Sequence, residues 1–421
     1  MKHWMQYLAL VSLTVLLSLV SVEAGSVDGL AWPQWRGPKR DSTVQGPVWP
    51  AKISGDHLRQ AWRVDLGPGY PGPIVTSDRV FVAATEDKSR EVVLALDRKT
   101  GKEVWRTQWD GAMKVPFIAA ANGSWIRSTP VYDGENLYVG GMRDVLVCLN
   151  AETGKEKWRI DFVKKFSTPL PDFGFVSSPM VLGDYLYVQA GASFFKLKKE
   201  TGEEVWRILR DEGGMYGGVF SSPTVATVAG REQLLFQTRT TLAGVDTESG
   251  KVLWTQEVPA FRGMNILTPT AIGDAIFTST YGGRTFLFGV DRKDDQFQAR
   301  ELWTNKAQGY MSSPVVIDGF IYVHLRNKRV ACFDLATGKE RWISDKRFGQ
   351  YWSMVAQGNR ILALDEDGTL YLLKANPDKF ELLDSRKISD QPTWGHLAVS
   401  GHQIFIRELN AIAAYDWLDG K

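Results

Sequence analysis

From residue 58 onward, apolar residues come in short stretches, broken by Asp, Asn, Gly and Thr. "LYVGG" (137–141), "LYVQA" (186–190) and "IYVHL" (321–325) are strand-length and rich in β-branched and aromatic residues. So are "VLALD" (93–97), "LVCLN" (146–150), "LAGVD" (242–246) and "VACFD" (330–334). Such alternating runs, bounded by turn residues, predict short β-strands joined by tight turns.

The strands recur in a fixed order. A Ser/Thr-Pro pair comes first, as in "STPV" (128–131), "SSPM" (177–180), "SSPT" (221–224), "LTPT" (267–270) and "SSPV" (312–315). A turn, two strands and a nine-residue phrase follow. The phrase is written five times: "DRKTGKEVW" (97–105), "NAETGKEKW" (150–158), "KKETGEEVW" (198–206), "DTESGKVLW" (246–254) and "DLATGKERW" (334–342). It has hairpin chemistry. Asp97 can bond the turn backbone ahead of it, and Gly101 can supply the φ > 0 residue of a bulged turn. The Trp then returns on the outermost strand, where a flat side chain can fill the gap between neighbouring units. Trp62, Trp105, Trp158, Trp206, Trp254, Trp303 and Trp342 mark the repeat.

Units of four strands and about 40–50 residues indicate an all-β, eight-bladed β-propeller of four-stranded antiparallel blades. Six units end on Trp105, Trp158, Trp206, Trp254, Trp303 and Trp342, and two weaker ones follow Trp342. The last weak unit ("WGHLAVSGHQIFIRELNAIAAYDW", 394–417) has three strands and no Trp strand. "RQAWRVDL" (59–66) resembles such a strand with nothing before it in its own unit. The ring is therefore expected to close by this N-terminal strand completing the last blade. The expected organisation is a leader over 1–24, an extended segment over 25–57 and the propeller over 58–421.

The strand closure LD-x-x-TG-x-x-x-W resembles the pyrroloquinoline-quinone (PQQ) repeat family, over about residues 58–421. The opening "WPQWRGP" (32–38) is similar to the start of secreted bacterial members. The family includes quinoprotein dehydrogenases, with PQQ and Ca²⁺ on the propeller axis, and scaffolds of the BamB-like kind. The resemblance implies an adjacent Cys pair, acidic and Asn ligands for Ca²⁺ and an Asp base in the dehydrogenases. This chain has two Cys, Cys148 and Cys332, far apart and each in a strand pattern. They read as buried free thiols. It has no CxxCH haem motif. No PQQ, Ca²⁺ or other cofactor is expected.

Composition narrows the partners. Lys and Arg number 50 against 48 Asp and Glu, with a net charge of +2, so nucleic acid is not the expected partner. An apolar run over 7–20 after Lys2 and His3, closing on "VEA" at Ala24, reads as a secretory signal peptide cleaved after Ala24. No Cys lies near that point, so a lipid anchor is not expected. Location is read as periplasmic or secreted.

Other motifs carry little chemistry. His57, His324, His396 and His402 lack the spacing of a zinc site. "DEDG" (365–368) falls where a hairpin turn is due and lacks the later ligands of a Ca²⁺ loop. "NGS" (122–124) fits a glycosylation pattern that arises often by chance. No phosphate loop or nucleophile elbow is present. "GPGYPGP" (67–73) and "DEGGMYGG" (211–218) read as connectors from an outer strand to the next inner one.

The connectors of a propeller emerge on one face around the axis, and binding residues favour such loops. Just before the inner strands they carry Trp125, Arg127, Phe175, Phe220, Asn265, Tyr310, Trp352, Trp394 and His396. These form the candidate binding set. Their alternative role is to plug the axis and pack the blades. The leading function is an exported, non-catalytic binding or assembly scaffold at the bacterial cell envelope, with a protein or glycan partner. The alternatives are PQQ-dependent oxidation of alcohols or sugars, and a carbohydrate-binding or carbohydrate-cleaving propeller.

Overall fold

A computed structural model describes residues 31–46, 48–210 and 220–418. The expected leader and the connector over 211–218 lie outside the described residues. Eight four-stranded antiparallel sheets make up the chain, and each pairs its strands in simple succession. They form an eight-bladed β-propeller. Seven blades are continuous in sequence. The eighth joins Ala398–Ser400, Gln403–Glu408 and Ala411–Trp417 to the N-terminal strand Leu58–Asp65. Leu58 pairs with Trp417 and Asp65 with Ala411, so the two ends of the chain share one sheet.

The nine-residue phrase forms the outer hairpin of its blade. The Asp97 carboxylate accepts hydrogen bonds from the Thr100 backbone N–H (2.8 Å) and hydroxyl (2.7 Å), and Gly101 takes φ +70. The same arrangement recurs around Asn150, Asp246 and Asp334. Each Trp then crosses to the next blade. Except at Trp206, whose indole N–H has no partner among the described residues, its Nε1 donates to a carbonyl of that blade's turn: Trp62 to Arg98, Trp105 to Ala151, Trp158 to Lys199 and Trp303 to Leu335, all at 2.8–3.0 Å. Its ring lies on the turn glycine. A Cβ on Gly101 would sit 2.8 Å from Trp62, and one on Gly154 2.5 Å from Trp105. The repeat is therefore a relay in which the Trp of one phrase needs the Gly of the next. Trp254 departs from it because the following blade writes Lys293–Gln296 in place of TG. There the strands Thr285–Lys293 and Gln296–Asn305 run long, and Trp254 donates instead to Gln233 Oε1 of its own blade.

Replacing Gly154 with Ala should therefore cost more than the strain of a positive φ alone, about 1–3 kcal/mol. Gly183, at φ +58 with open space around it, is the control. Urea midpoints for the two Ala variants should separate, with Gly154→Ala the lower. Equal midpoints would show that the Trp–Gly contact contributes nothing.

The Ser/Thr-Pro pairs have a role near the axis. Thr129 Oγ1 accepts from Gly72 N, Ser178 Oγ from Thr129 N, Ser222 Oγ from Ser178 N and Thr268 Oγ1 from Ser222 N, at 2.9–3.2 Å. Each hydroxyl takes a backbone N–H from the blade before it. The pairs thus form a hydrogen-bonded belt over four successive blade junctions, at the end of the channel where the inner strands begin. Cys148 and Cys332 are buried and unbonded to each other, and burial pushes both thiols up to about 12.

Candidate functional site

Residues 31–46 and 48–57, expected as an extended lead-in, lie against the ring. Part of this stretch occupies the axis. Trp32 pairs with Val75 at the end of one inner strand, and the Pro33 carbonyl accepts from Tyr132 N at the end of another. The chain then turns back at Gly37, which takes φ +82 with its Cα against the Trp32 ring. On the way it sends two arginines to Ser-Pro pairs of the sixth and third blades. Arg36 Nη2 donates to the Pro314 carbonyl at 2.6 Å. Arg40 donates to the carbonyls of Pro179 (2.9 Å) and Ser178 (3.0 Å). The segment leaves beside the inner strand of the seventh blade, where Val44 N donates to Ala356.

Both guanidinium groups are buried, at 1% and 4% exposure, and neither forms an ion pair among the described residues. Desolvation pushes Arg36 down to about 10 and Arg40 to about 9. At neutral pH both remain charged, held chiefly by carbonyl dipoles, with the Asp41 carboxylate acting on Arg36 from beyond ion-pair distance.

His396 belongs to this plug. Its Nδ1–H donates to the Leu397 carbonyl (2.8 Å), so Nε2 accepts from the Ser42 hydroxyl (3.2 Å). Ser42 Oγ in turn accepts from Arg36 Nε at 2.8 Å. Burial pushes the imidazole down to about 4. A serine hydroxyl against a histidine is also the start of a nucleophilic site. Here Ser42 is 1% exposed, the third partner is a backbone carbonyl, and the rings of Trp32 and Trp35 flank the imidazole. The contact orients the plug.

The connector face beyond the plug carries an arc of rings. Arg127 lies 5.9 Å over Tyr70, which stacks on Trp394 at 4.5 Å. Trp394 meets Tyr351 (3.9 Å), and Tyr351 meets Tyr310 (6.2 Å). The arc continues through Tyr281 (4.9 Å) to the exposed Phe261 (6.2 Å). Of the residues singled out by sequence, Arg127, Tyr310 and Trp394 join this arc. Trp125 is half-buried against Gly123, beside the carbonyl that accepts from Arg127. Phe220 packs on Phe173 at 5.4 Å, apart from the arc.

Three others face blade interiors. Phe175 is buried against Gly140, where a Cβ would clash at 2.6 Å. Asn265 is buried, donating to the Arg239 and Val258 carbonyls. Trp352 is buried between His324, Phe348 and Tyr371. Tyr70, Tyr281 and Tyr351 were not in the sequence-derived set. Tyr70 lies in the "GPGYPGP" connector, whose glycines permit close backbone approach: a Cβ on Gly67 would sit 2.1 Å from the Thr85 carbonyl.

Buried carboxylates line the same face. Asp144, 2% exposed, accepts from Gly191 N at 2.8 Å, and burial pushes it up to about 7. A folded-state value above the unfolded one means that the folded protein prefers the protonated acid. This stabilisation is complete below the ordinary carboxylate range and is lost as pH rises through about 7. Asp144→Asn keeps an acceptor for Gly191, and Asn tolerates the φ of +58 at this position. At pH 8 the variant should be more stable than the parent by about 1–3 kcal/mol, with the gap narrowing toward pH 5. Urea titrations at the two pH values check this, and a gap that does not change with pH would contradict it.

The axis does not suit PQQ with Ca²⁺. Trp32, Arg36, Arg40 and Ser42 fill it. Among the described residues no three His, Cys, Asp or Glu side chains come together to hold a metal ion. No helix among them is long and apolar enough to cross a membrane.

A family model described as "Outer membrane protein assembly factor BamB" matches residues 56–122 and 89–344. Named relatives include that factor from Yersinia pestis, 22% identical over 349 residues and 79% of each chain. The factor from Burkholderia pseudomallei is 24% identical over 309 residues, 69% of this chain and 70% of that one. A 1-butanol dehydrogenase (quinone) from Thauera butanivorans is 26% identical over 193 residues, but these are only 28% of its length. Among solved structures, BamB from Moraxella catarrhalis superposes with a TM-score of 0.61 at 15% identity, covering 86% of this chain and 99% of that one. A europium-containing methanol dehydrogenase gives 0.67 at 14% identity, covering 90% of each. At such identities the structural likeness speaks for the fold alone. The chain belongs to the BamB family.

Proposed function

We propose that this chain is a non-catalytic scaffold for outer-membrane protein assembly, working on the periplasmic side of the envelope through the connector face of its propeller. The observation that carries the reading is the filled axis. Where the PQQ-repeat resemblance would place a cofactor, the chain's own Trp32–Ser42 segment is anchored to inner strands of several blades. The ring is then a platform, and its loops are what it offers to a protein partner. The named relatives favour the same reading: the assembly factors align along most of their length, the dehydrogenases over about a quarter.

Two experiments test it. Deleting the gene should lower the folded β-barrel content of the outer membrane. A photocrosslinker at Phe117, 94% exposed on a connector, should capture an assembly-machinery protein in the envelope. Unchanged barrel content with no such capture would sink the proposal. The oxidoreductase reading instead requires saturable PQQ binding with Ca²⁺ and substrate-dependent dye reduction. Calorimetry and an acceptor assay should show neither.

A further inference from the structure

The chain carries a net charge of only +2, yet one sector of the connector face is strongly cationic. It comprises the loops over 258–269, 280–284, 305–314, 325–329 and 344–351, which surround the fifth and sixth blades. These loops hold eight Lys or Arg and a single acid, Asp345. Arg262, Lys306, Arg326, Lys328, Lys346 and Arg347 are exposed. None of the eight lies within ion-pair distance of a carboxylate among the described residues, although cations elsewhere on the surface form nineteen such contacts. The neighbouring turn of the seventh blade has the opposite sign, with Asp365, Glu366 and Asp367.

Rings lie among these cations. Phe261, Tyr281 and Tyr310 form one end of the aromatic arc. Arg326 sits 4.0 Å over the Tyr281 ring and donates to its hydroxyl. Between the two blades lies an open cleft of about 510 Å³, lined in part by Gln308, Leu325, Arg326 and Asn327. Its floor is apolar at Leu325 and Ile343, and its rim carries the amides of Asn305, Gln308 and Asn327 and the cations Lys306 and Arg326, with one carboxylate, Glu340.

We propose that this sector docks an acidic, extended segment of a partner protein, one that interleaves Asp or Glu with aromatic or apolar side chains. The inference rests on the scaffold reading and names the chemistry of the partner. Unpaired exposed cations cost little in water and gain when a carboxylate reaches them, most of all where Arg can bind it bidentately. The rings and the apolar floor take the intervening side chains, and the Gln308 and Asn327 amides suit a peptide backbone. A lipid surface would meet a flat or convex cationic face. Here two of the cations, Lys306 and Arg326, line a concave cleft, which suits a chain.

The test uses the full protein and a fluorescent synthetic peptide alternating Glu with Phe and Tyr. A matched peptide with Gln for Glu and phosphatidylglycerol vesicles run beside it. The acidic peptide should bind saturably and lose at least tenfold in affinity as salt rises through the range where surface charges are screened. Lys328→Glu with Arg347→Glu should weaken it at least tenfold without shifting the melting temperature, and Arg326→Glu should do the same. Lys102→Glu with Lys155→Glu, in the hairpins of the opposite face, should leave it unchanged. Equal binding of the Gln peptide, no effect of the charge reversals, or vesicle binding in place of peptide binding would each overturn the proposal. Peptide binding is read independently of barrel assembly. Its failure rejects this surface and leaves the scaffold reading standing, whereas an unchanged envelope with intact peptide binding does the reverse.

Discussion

Trp32→Ala is expected to cost about 3–5 kcal/mol of folding stability, and Arg40→Ala about 2–4 kcal/mol, although neither residue belongs to a blade. Trp32 is 1% exposed, within a core cluster that includes residues of the first, seventh and eighth blades. Truncating it leaves a cavity that rigid sheets cannot collapse to fill. Arg40 works differently. Its removal orphans the carbonyls of Ser178 and Pro179, but it also relieves the cost of a buried charge beside Arg36. The net loss is therefore smaller than the count of lost hydrogen bonds suggests. The two changes act on one segment, so their effects should not add. Urea denaturation of the single and double variants measures this. Parent-like stability for Trp32→Ala would mean that the segment does not hold the axis in solution.

The blades could be read from the sequence because each is encoded locally. Strand, turn and Trp recur in one order, and Asp97, Gly101 and Trp105 act within the same hairpin or on the next one. The plug could not be read this way. Arg36 bonds a carbonyl 278 residues away and Arg40 one 139 residues away, and no local pattern encodes such partners. "WPQWRGP" was visible as a motif but not as an axial segment. The mouth residues divide for a related reason. Phe175, Trp352, Tyr310 and Trp394 all precede inner strands, yet their directions depend on what lies opposite. Phe175 turns inward because Gly140 leaves room for its ring. Trp394 stays at the mouth because Tyr70, from a connector more than 300 residues away in sequence, stacks on it. The cationic sector escaped a whole-chain reading because acids elsewhere balance it.

Trp62→Ala should cost about 3–5 kcal/mol, and removing residues 58–66 should do more than destabilise: it should make the protein self-associate. Leu58–Asp65 is the outer strand of the eighth blade, paired along the whole of Ala411–Trp417 with one irregularity between Gln60 and Trp62. Trp62 then reaches the first blade, where its ring covers Gly101 and its Nε1 donates to the Arg98 carbonyl at 2.8 Å. Arg63 pairs with the buried Glu408 of the same sheet at 3.0 Å. One strand thus closes both a sheet and a blade junction. The Trp62 variant loses the junction and keeps the sheet, so it should unfold at lower urea concentration but remain monomeric. Without the strand, Ala411–Trp417 becomes an open edge with unpaired N–H and C=O groups, and an apolar open edge recruits other chains. Light scattering should then rise with protein concentration for the truncation and not for Trp62→Ala. A truncated chain that stays monomeric and unfolds at the parent's midpoint would reject closure of the ring by this strand.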